Sequence, residues 1–230
     1  METNSQQDTW KRLAGEAAAQ LIEDGMILGL GTGTTATQMI YAVGRRIQEG
    51  LRITGAVATS QASEALARKL GIPLTDLDTY PVLDLAIDGA DEIDGQLRLI
   101  KGGGGALLRE KVVASSARRF IVIGDATKQV AQLGRNTPLP VEVVPFAATP
   151  VSKHLEALGA SVRLRRSGDG VFFTENCNVI LDCFFAGGIA DPTDLNAHIR
   201  SIVGVVEVGL FLKMAERAII GGPEGIKVLL

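Results

Sequence analysis

The sequence predicts an α/β fold in which a Rossmann-like, mostly parallel sheet carries an inserted, smaller ferredoxin-like α+β domain. Short continuous runs of Val, Ile and Leu alternate with helical patterns from residue 10 to residue 123. This alternation is typical of parallel strands that helices cover on both faces. Beyond Gly134–Pro140 the order changes to strand, helix, strand, hairpin, helix and strand, which is the order of a split βαβ unit.

The individual elements follow from the hydrophobic periodicity of each segment. In the first part of the chain, helices are predicted at 10–23, 35–48, 61–70 and 106–118. The strands between them are predicted at Met26–Leu30, Arg52–Ala58, Leu83–Ile87, Leu97–Ile100 and Phe120–Ile123. The second part has predicted helices at 150–158 and 193–202, and strands at Val141–Val144, Val162–Arg165, 171–174, 178–182 and Val205–Val208. A last strand at Ile226–Leu230 returns to the first domain, so we expect one domain of residues 1–133 plus 209–230 and a second of residues 134–208.

The composition argues against several classes of protein. The 230 residues carry a net charge of −3 and only 4% aromatics, so neither a basic field nor stacking rings recruit nucleic acid. No apolar stretch approaches the ~20 residues that span a bilayer, and the N-terminus has no apolar signal segment. Cys177 and Cys183 match no common zinc-site spacing. We therefore expect a cytoplasmic protein with a small-molecule ligand, no nucleic-acid or membrane partner and no bound metal.

The segment Asp84–Lys111 carries chemistry that a folded core does not require. A strand delivers Asp88 and Asp91 at its carboxyl end, where ligands collect in parallel sheets. Two acids at this spacing also suit a tight turn or a magnesium site, and the segment alone leaves these alternatives open. The neighbouring acids Glu92 and Asp94 are interpreted as solvated turn residues.

Lys101 and four glycines, Gly102–Gly105, follow the next short strand. Glycine lets main-chain N–H groups approach a ligand oxygen without a Cβ in the way. No Gly-Lys-Ser/Thr triplet follows, so the segment is not a Walker-type nucleotide loop. The run indicates a site for a small anion, whereas the plainer interpretation is a flexible linker between strand and helix.

Glu110 follows the glycines in the early turns of a helix. Acids at this place commonly complement the helix dipole or pair with lysines, so the position alone is not decisive. The two histidines, His154 and His198, fall on helices of the predicted smaller domain. If the chemistry needs a general base, a carboxylate must supply it, and Glu110 is the candidate.

A glycine-rich turn, Gly29–Ala36, joins the first strand to the next helix. It fits a loose dinucleotide fingerprint, but the following strand ends in Thr59-Ser60-Gln61 without the acid that would hold a ribose. Amides at a helix N-terminus together with threonine hydroxyls bind phosphate or sugar oxygens, and the plainer alternative is a tight turn. Lys128, just past a strand end, and Lys11, on the first helix, are surface lysines by default.

Together these motifs resemble ribose-5-phosphate isomerase type A over nearly the whole chain, from about residue 8 onward. The motifs that carry the resemblance are Gly31-Thr32-Gly33-Thr34-Thr35, Asp88-Gly89-Ala90-Asp91-Glu92-Ile93, Lys101-Gly102-Gly103-Gly104, Arg109-Glu110-Lys111, Asp125-Ala126-Thr127-Lys128, Pro138–Val143 and Gly204–Phe211. Two departures are mild: Thr34 stands where serine is usual, and Gly105 extends the glycine run where alanine is common.

The resemblance implies reversible isomerisation of D-ribose 5-phosphate and D-ribulose 5-phosphate through an enediolate, in the non-oxidative pentose phosphate pathway. It further implies a homodimer or homotetramer without a metal or an organic cofactor. The resemblance implies that Glu110 is the catalytic base and that Asp88, Asp91 and Lys101 are further catalytic residues. Either aspartate could open the furanose ring. The implied substrate-binding residues are Thr32, Gly33, Thr34, Thr35, Asp88, Gly89, Ala90, Asp91, Lys101, Gly102, Gly103, Gly104, Lys128 and Lys11.

Two alternatives come from other functional classes. A sugar-sensing repressor domain would bind a phosphosugar in a similar fold without turnover, but it needs a helix-turn-helix module, and one helix alone precedes the first predicted strand. A CoA-transferase-like enzyme would need a glutamate nucleophile and a much larger acceptor pocket. The presence of Glu110 together with Asp88 and Asp91 favours the isomerase.

Overall fold

The computed structural model describes the backbone of residues 2–230 and the side chains of residues 6–230. Its α-helices are α1 (Glu2–Ala19), α2 (Thr34–Gln48), α3 (Gln61–Lys69), α4 (Leu107–Ser116), α5 (Ala148–Ala157) and α6 (Pro192–Arg200). Its strands are β1 (Ile27–Leu30), β2 (Gly55–Ala58), β3 (Leu85–Gly89), β4 (Glu92–Ile93), β5 (Leu99–Ile100), β6 (Phe120–Asp125), β7 (Leu139–Val143), β8 (Ala160–Leu164), β9 (Arg166–Ser167), β10 (Gly170–Val171), β11 (Val179–Phe185), β12 (Val205–Val208), β13 (Leu210–Phe211), β14 (Arg217–Gly222) and β15 (Gly225–Leu229). None of the helices within this described part combines the length and the apolar character that crossing a bilayer requires.

The chain divides into two units, and each is described by itself. The first comprises Met1–Ala90, Arg109–Gln129 and Met214–Leu230, and the second comprises Asp91–Leu108 and Val130–Lys213. Residues 91–108 group with the second unit because β4 and β5 form a small sheet with β13. This grouping differs from the predicted boundaries, 1–133 plus 209–230 and 134–208, which stay a prediction about folding domains.

The first unit is built on a six-stranded sheet with the order β15-β14-β6-β3-β1-β2. All neighbouring strands are parallel except the pair β14 and β15. Buried Leu and Ile side chains of β1, β3 and β6 form one core with the Ala-rich face of α1 and with α2. This confirms the predicted α/β class, because such strands are apolar on both faces.

Three neighbouring strands of this sheet end at the same edge. In the register, Leu30 at the end of β1 lies beside Ile87 of β3, and Gly89 at the end of β3 lies beside Ile123 of β6. The residues that follow these strands are therefore close in space although they are far apart in sequence. In open α/β sheets this carboxyl edge is the place where ligands bind.

The second unit contains a four-stranded antiparallel sheet with the order β12-β7-β11-β8. With α5 between β7 and β8 and α6 between β11 and β12, this is the predicted ferredoxin-like arrangement of a split βαβ unit. One face of the sheet packs on α5 and α6 through buried residues such as Val141, Leu181 and Ile199.

The structure also corrects several expectations. Helix α1 begins at Glu2 rather than residue 10 and ends at Ala19 rather than residue 23. Strand β14 was not predicted, because its apolar run is only Ala218–Ile220 between an arginine and two glycines. The expectation that Glu92 and Asp94 are solvated is wrong, since they are 1% and 2% exposed.

Candidate active site

The loop after β1 has no room for a side chain at Gly31. A Cβ there would lie 2.1 Å from Oδ1 of Asp88, at the end of β3. Gly33, which precedes α2, has a φ of +101°, in the left-handed region that favours glycine. The main chain therefore passes directly over the Asp88 carboxylate before α2 begins at Thr34, which is exposed in the first turn. Thr35, next in that turn, is buried.

Asp88 is 3% exposed, and one of its oxygens organises this loop. Oδ1 accepts the N–H of Thr32 at 3.0 Å and the N–H of Gly89 at 2.7 Å. Hydrogen bonds from two amides stabilise a carboxylate that burial alone would disfavour. The Asp88 side chain is therefore held in one orientation at the carboxyl edge of the sheet.

The hydroxyl of Thr32 belongs to a cluster that sequence reasoning missed. It lies 2.6 Å from Thr59 Oγ1 and 2.8 Å from Ser60 Oγ. Ser63 Oγ donates to the Gly31 carbonyl at 2.7 Å, so the cluster ties the loop after β1 to the start of α3. Thr32 thus supports the loop through its hydroxyl, and its role in substrate binding stays a prediction. The signal was present in the sequence as a run of hydroxyl residues at a helix start, where they act as N-caps.

Glu110 lies in the first turn of α4 and is 6% exposed. Val113, one turn later on the same helix face, packs on the sheet: a Cβ on Gly29 of β1 would lie 2.4 Å from its Cγ1. The Leu83 N–H, just before β3, donates to the carbonyl of Ser116 at the end of α4 (2.9 Å), so α4 ends at the amino edge of the sheet and begins toward the carboxyl edge. Glu110 therefore lies on the sheet-facing side of α4, at the edge where Asp88 lies.

Lys128 lies at the same edge of the sheet. It ends the short 3₁₀ turn Ala126–Lys128 that directly follows β6. The buried Asp125 fixes this turn, because its Oδ1 accepts the N–H of Thr127 at 2.9 Å. The half-buried Lys128 is therefore placed by a capped turn rather than by a free loop.

Lys11 is more buried than the solvated surface lysine expected from the sequence. Its side chain is 17% exposed, and its ammonium lies 3.4 Å from the Asp8 carboxylate. The neighbouring Trp10 packs its main chain against β14, since a Cβ on Gly221 would lie 2.0 Å from the Trp10 carbonyl oxygen. Gly221 lies beside Asp125 at the end of β6, so Lys11 is also near the carboxyl edge.

In the second unit, the glycine run is a loop with its own internal hydrogen bonds. The N–H of Gly103 donates to Asp91 Oδ2 at 2.7 Å, and the N–H of Gly105 donates to the Gly102 carbonyl at 3.0 Å. Gly102 and Gly105 have φ values of +106° and +83°. Two of the four amides that could serve an oxyanion are therefore in use. The N–H groups of Gly102 and Gly104 donate to no acceptor within residues 2–230.

Lys101 is a buried cation at the end of β5. Its side chain is 2% exposed, and its ammonium lies 5.4 Å from the centroid of the Phe211 ring. The Lys101 amide donates to the Gly209 carbonyl at 2.9 Å, which fixes the start of the glycine loop. Lys101 therefore brings a buried positive charge to the start of the glycine loop.

The predicted site residues thus fall into two sets. The first unit holds Lys11, Thr32, Gly33, Thr34, Thr35, Asp88, Gly89, Ala90, Glu110 and Lys128, and the second unit holds Asp91, Lys101, Gly102, Gly103 and Gly104. The chain passes from the first unit to the second after Ala90 and returns before Arg109. Among the described side chains, no group of three His, Cys, Asp or Glu residues is arranged to hold a metal ion.

The chain is similar to one family along its length. A family model of ribose 5-phosphate isomerase A (phosphoriboisomerase A) matches residues 55–225. A ribose-5-phosphate isomerase A of Roseiflexus sp. is 55% identical over 220 residues, which are 94% of this chain and 94% of the relative. One of Bacillus mycoides is 49% identical and covers 94% of this chain and 97% of the relative.

Solved structures agree with these matches. A ribose 5-phosphate isomerase A of Neisseria gonorrhoeae superposes with a TM-score of 0.90 at 39% identity, over 97% of this chain and 96% of that chain. A D-ribose-5-phosphate isomerase in complex with phospho-erythronic acid has a TM-score of 0.92 at 38% identity, over 95% and 96% of the two chains. These likenesses extend over both units, and the chain belongs to the ribose 5-phosphate isomerase A family.

Proposed function

We propose that this protein interconverts D-ribose 5-phosphate and D-ribulose 5-phosphate through an enediolate, in the non-oxidative pentose phosphate pathway. The observation that carries the proposal is the buried Glu110 on the sheet-facing side of α4, at the edge where Asp88 is held. A carboxylate in such a place suits proton abstraction next to a carbonyl. Membership of the isomerase family supports the same reaction.

In the proposed reaction Glu110 removes the C2 proton of the open-chain aldose. The electron pair of the C–H bond forms the C1–C2 double bond, and the C1 carbonyl becomes an enediolate oxygen. The hydroxyl proton moves from O2 to O1, and Glu110 returns its proton to C1, which gives the ketose. One carboxylate serves both transfers, so the reaction consumes no external acid or base.

The developing negative charge needs donors that are already in place. We assign this role to the buried ammonium of Lys101 and to the amides of Gly102 and Gly104, since those of Gly103 and Gly105 are used within the loop. The phosphate is assigned to the first amides of α2, to Thr34 and Thr35 and, through charge, to Lys128 and Lys11. Opening of the furanose ring is assigned to Asp88 or Asp91.

The direct test is the Glu110→Gln variant, which keeps the shape of the side chain but cannot accept the proton. A lost general base typically lowers the rate by ~10²–10⁴, while KM should change little because phosphate contacts lie elsewhere. Solvent deuterium should enter the product with the wild type and not with the variant. Glu64→Gln is the matched control, because this glutamate on α3 has a side chain that is 44% exposed and pairs with Arg68.

Two results would count against the proposal. If Glu110→Gln turns over within a few-fold of the wild type, the base is misassigned. If the wild type binds ribose 5-phosphate without converting it, the sensor alternative is correct. Excess EDTA should leave the rate unchanged, and loss of activity that magnesium restores would instead make Asp88 and Asp91 a metal site.

We further propose that the enzyme works in the cytoplasm as a homodimer or homotetramer, as the family resemblance implies. Its two cysteines, Cys177 and Cys183, are both free thiols, which suits a reducing compartment. Light scattering of the purified chain measures the oligomeric state directly, and a monomer would contradict this part of the proposal.

A further inference from the structure

One arginine of the second unit binds two main-chain carbonyl groups of the glycine loop. Arg165 directly follows β8, and its side chain is 14% exposed. Nε and Nη2 donate to the two carboxylate oxygens of Asp182 at 2.9 and 2.5 Å. Nη1 donates to the carbonyl oxygens of Gly102 at 2.7 Å and Gly103 at 3.1 Å. The guanidinium also lies over the Phe172 ring, with Cζ 5.9 Å from the centroid.

These contacts fix the orientation of two successive peptide groups. In a trans peptide the C=O and the N–H point to opposite sides. The Gly102 carbonyl and the Gly103 N–H form one group, and that N–H meets Asp91. The Gly103 carbonyl and the Gly104 N–H form the next group. With the carbonyl held by Arg165, the Gly104 N–H is directed away from the guanidinium.

Side-chain packing cannot hold this part of the loop. A Cβ on Gly104 would meet nothing within 4 Å, and Gly104 is exposed. Glycine has the largest conformational freedom to lose, so an unsupported run of four would sample many orientations of its amides. A cation on a peptide carbonyl also polarises the group and strengthens its N–H as a donor.

We propose that Arg165 is a positioning residue for the isomerisation: it holds the Gly102 and Gly103 carbonyls so that the Gly104 N–H is aimed at the oxygen that becomes negative in the enediolate. Asp182 keeps the guanidinium in the plane that allows both carbonyl contacts. The proposal rests on the proposed function, in which the Gly104 amide is one of the oxyanion donors.

The chain offers a matched control on β8, the strand that directly precedes Arg165. Arg163 lies two residues earlier on β8, is exposed, and stacks over Phe184 with Cζ 5.0 Å from the ring centroid. The test therefore compares Arg165→Ala, Arg165→Lys and Arg163→Ala with the wild type. A coupled assay gives kcat and KM for ribose 5-phosphate, with and without about 50 mM guanidinium chloride, which is far below denaturing concentrations.

Removal of one oxyanion donor typically costs ~10²–10³ in kcat. We expect Arg165→Ala to lower kcat by ~10–10³-fold and to leave KM within about threefold, because the proposed phosphate contacts are in the first unit. Added guanidinium should raise the kcat of Arg165→Ala at least about tenfold, because it can occupy the space that the arginine side chain left. Arg165→Lys should be slow as well and should not be rescued, since its side chain fills the space without a planar fork. Arg163→Ala should match the wild type.

The opposite outcomes overturn the proposal. Wild-type kcat in both Arg165 variants would show that the loop needs no such support. A raised KM with unchanged kcat would mean that Arg165 grips the ground-state substrate. A fall in kcat that parallels a fall in Tm, without rescue by guanidinium, would mean that Arg165 is only structural. If the wild type itself does not isomerise the sugar, the proposed function fails, whereas an active wild type with unaffected variants rejects the role of Arg165 alone.

Discussion

Glu92 connects β4 of the second unit to the loop before β7 through three main-chain hydrogen bonds. Its Oε2 accepts the N–H of Gly134 at 2.6 Å, and its Oε1 accepts those of Asn136 and Thr137, each at 2.8 Å. Glu92→Ala would remove all three acceptors at a position that is 1% exposed. Hydrogen bonds to charged groups contribute about 1.5–3 kcal/mol each, so we expect a loss of about 4–6 kcal/mol, below the full sum because the loop relaxes.

Glu92→Gln retains one acceptor oxygen and places an amide donor where Gly134 donates. We expect it to lose about 1.5–3 kcal/mol, the range for one such hydrogen bond. Glu156→Ala is the control, because this exposed glutamate pairs with Lys153 on α5 and accepts one long hydrogen bond of 3.5 Å from the Ser152 hydroxyl, and such surface contacts contribute about 0–1 kcal/mol. Urea denaturation measures all three variants. If Glu92→Ala and Glu156→Ala differ by less than about 1 kcal/mol, the three amides find other acceptors and the reasoning is wrong.

Three further predictions concern the surroundings of single residues. Gly31→Ala would place Cβ 2.1 Å from Asp88 Oδ1, so its isomerase activity should fall by at least ~10²-fold, and near wild-type activity would show that the loop can move. The hydrogen bond from Arg119 lowers the pKa of Glu216 to about 2. The wild type should therefore be more stable than Glu216→Gln by an amount that is constant above about pH 5 and shrinks as the pH falls from about 4.5 to 2. Denaturation curves measure this difference, and one that does not change with pH would contradict the prediction. Burial raises the pKa of Cys183 to about 12, so a thiol reagent at pH 8 should modify one of the two cysteines in the native chain and both after unfolding.

Sequence reasoning was most successful where the signal is local. The glycines at Gly31, Gly33 and Gly102 stand where the backbone has positive φ or where a neighbouring group excludes a Cβ. Such demands depend on the residue and its immediate neighbours, so a glycine-rich turn between strand and helix is visible in the sequence. Sequence reasoning failed where burial depends on distant partners. In the sequence Glu92 is one more acid in a polar turn, and only the fold brings the loop at 134–137 over it.

The sequence by itself determined the α/β class, the order of the helices and of most strands, and the residue types available for proton transfer, because hydrophobic periodicity is a property of contiguous residues. Only the tertiary structure decided which groups are committed to one another. The Gly103 amide is taken by Asp91, 12 residues away, and the Gly102 carbonyl by Arg165, 63 residues away. Hydrogen bonds over such separations depend on strand order and register, which no local pattern encodes. The sequence therefore pointed to a loop of four amides, and the fold decided which of them remain to meet a ligand.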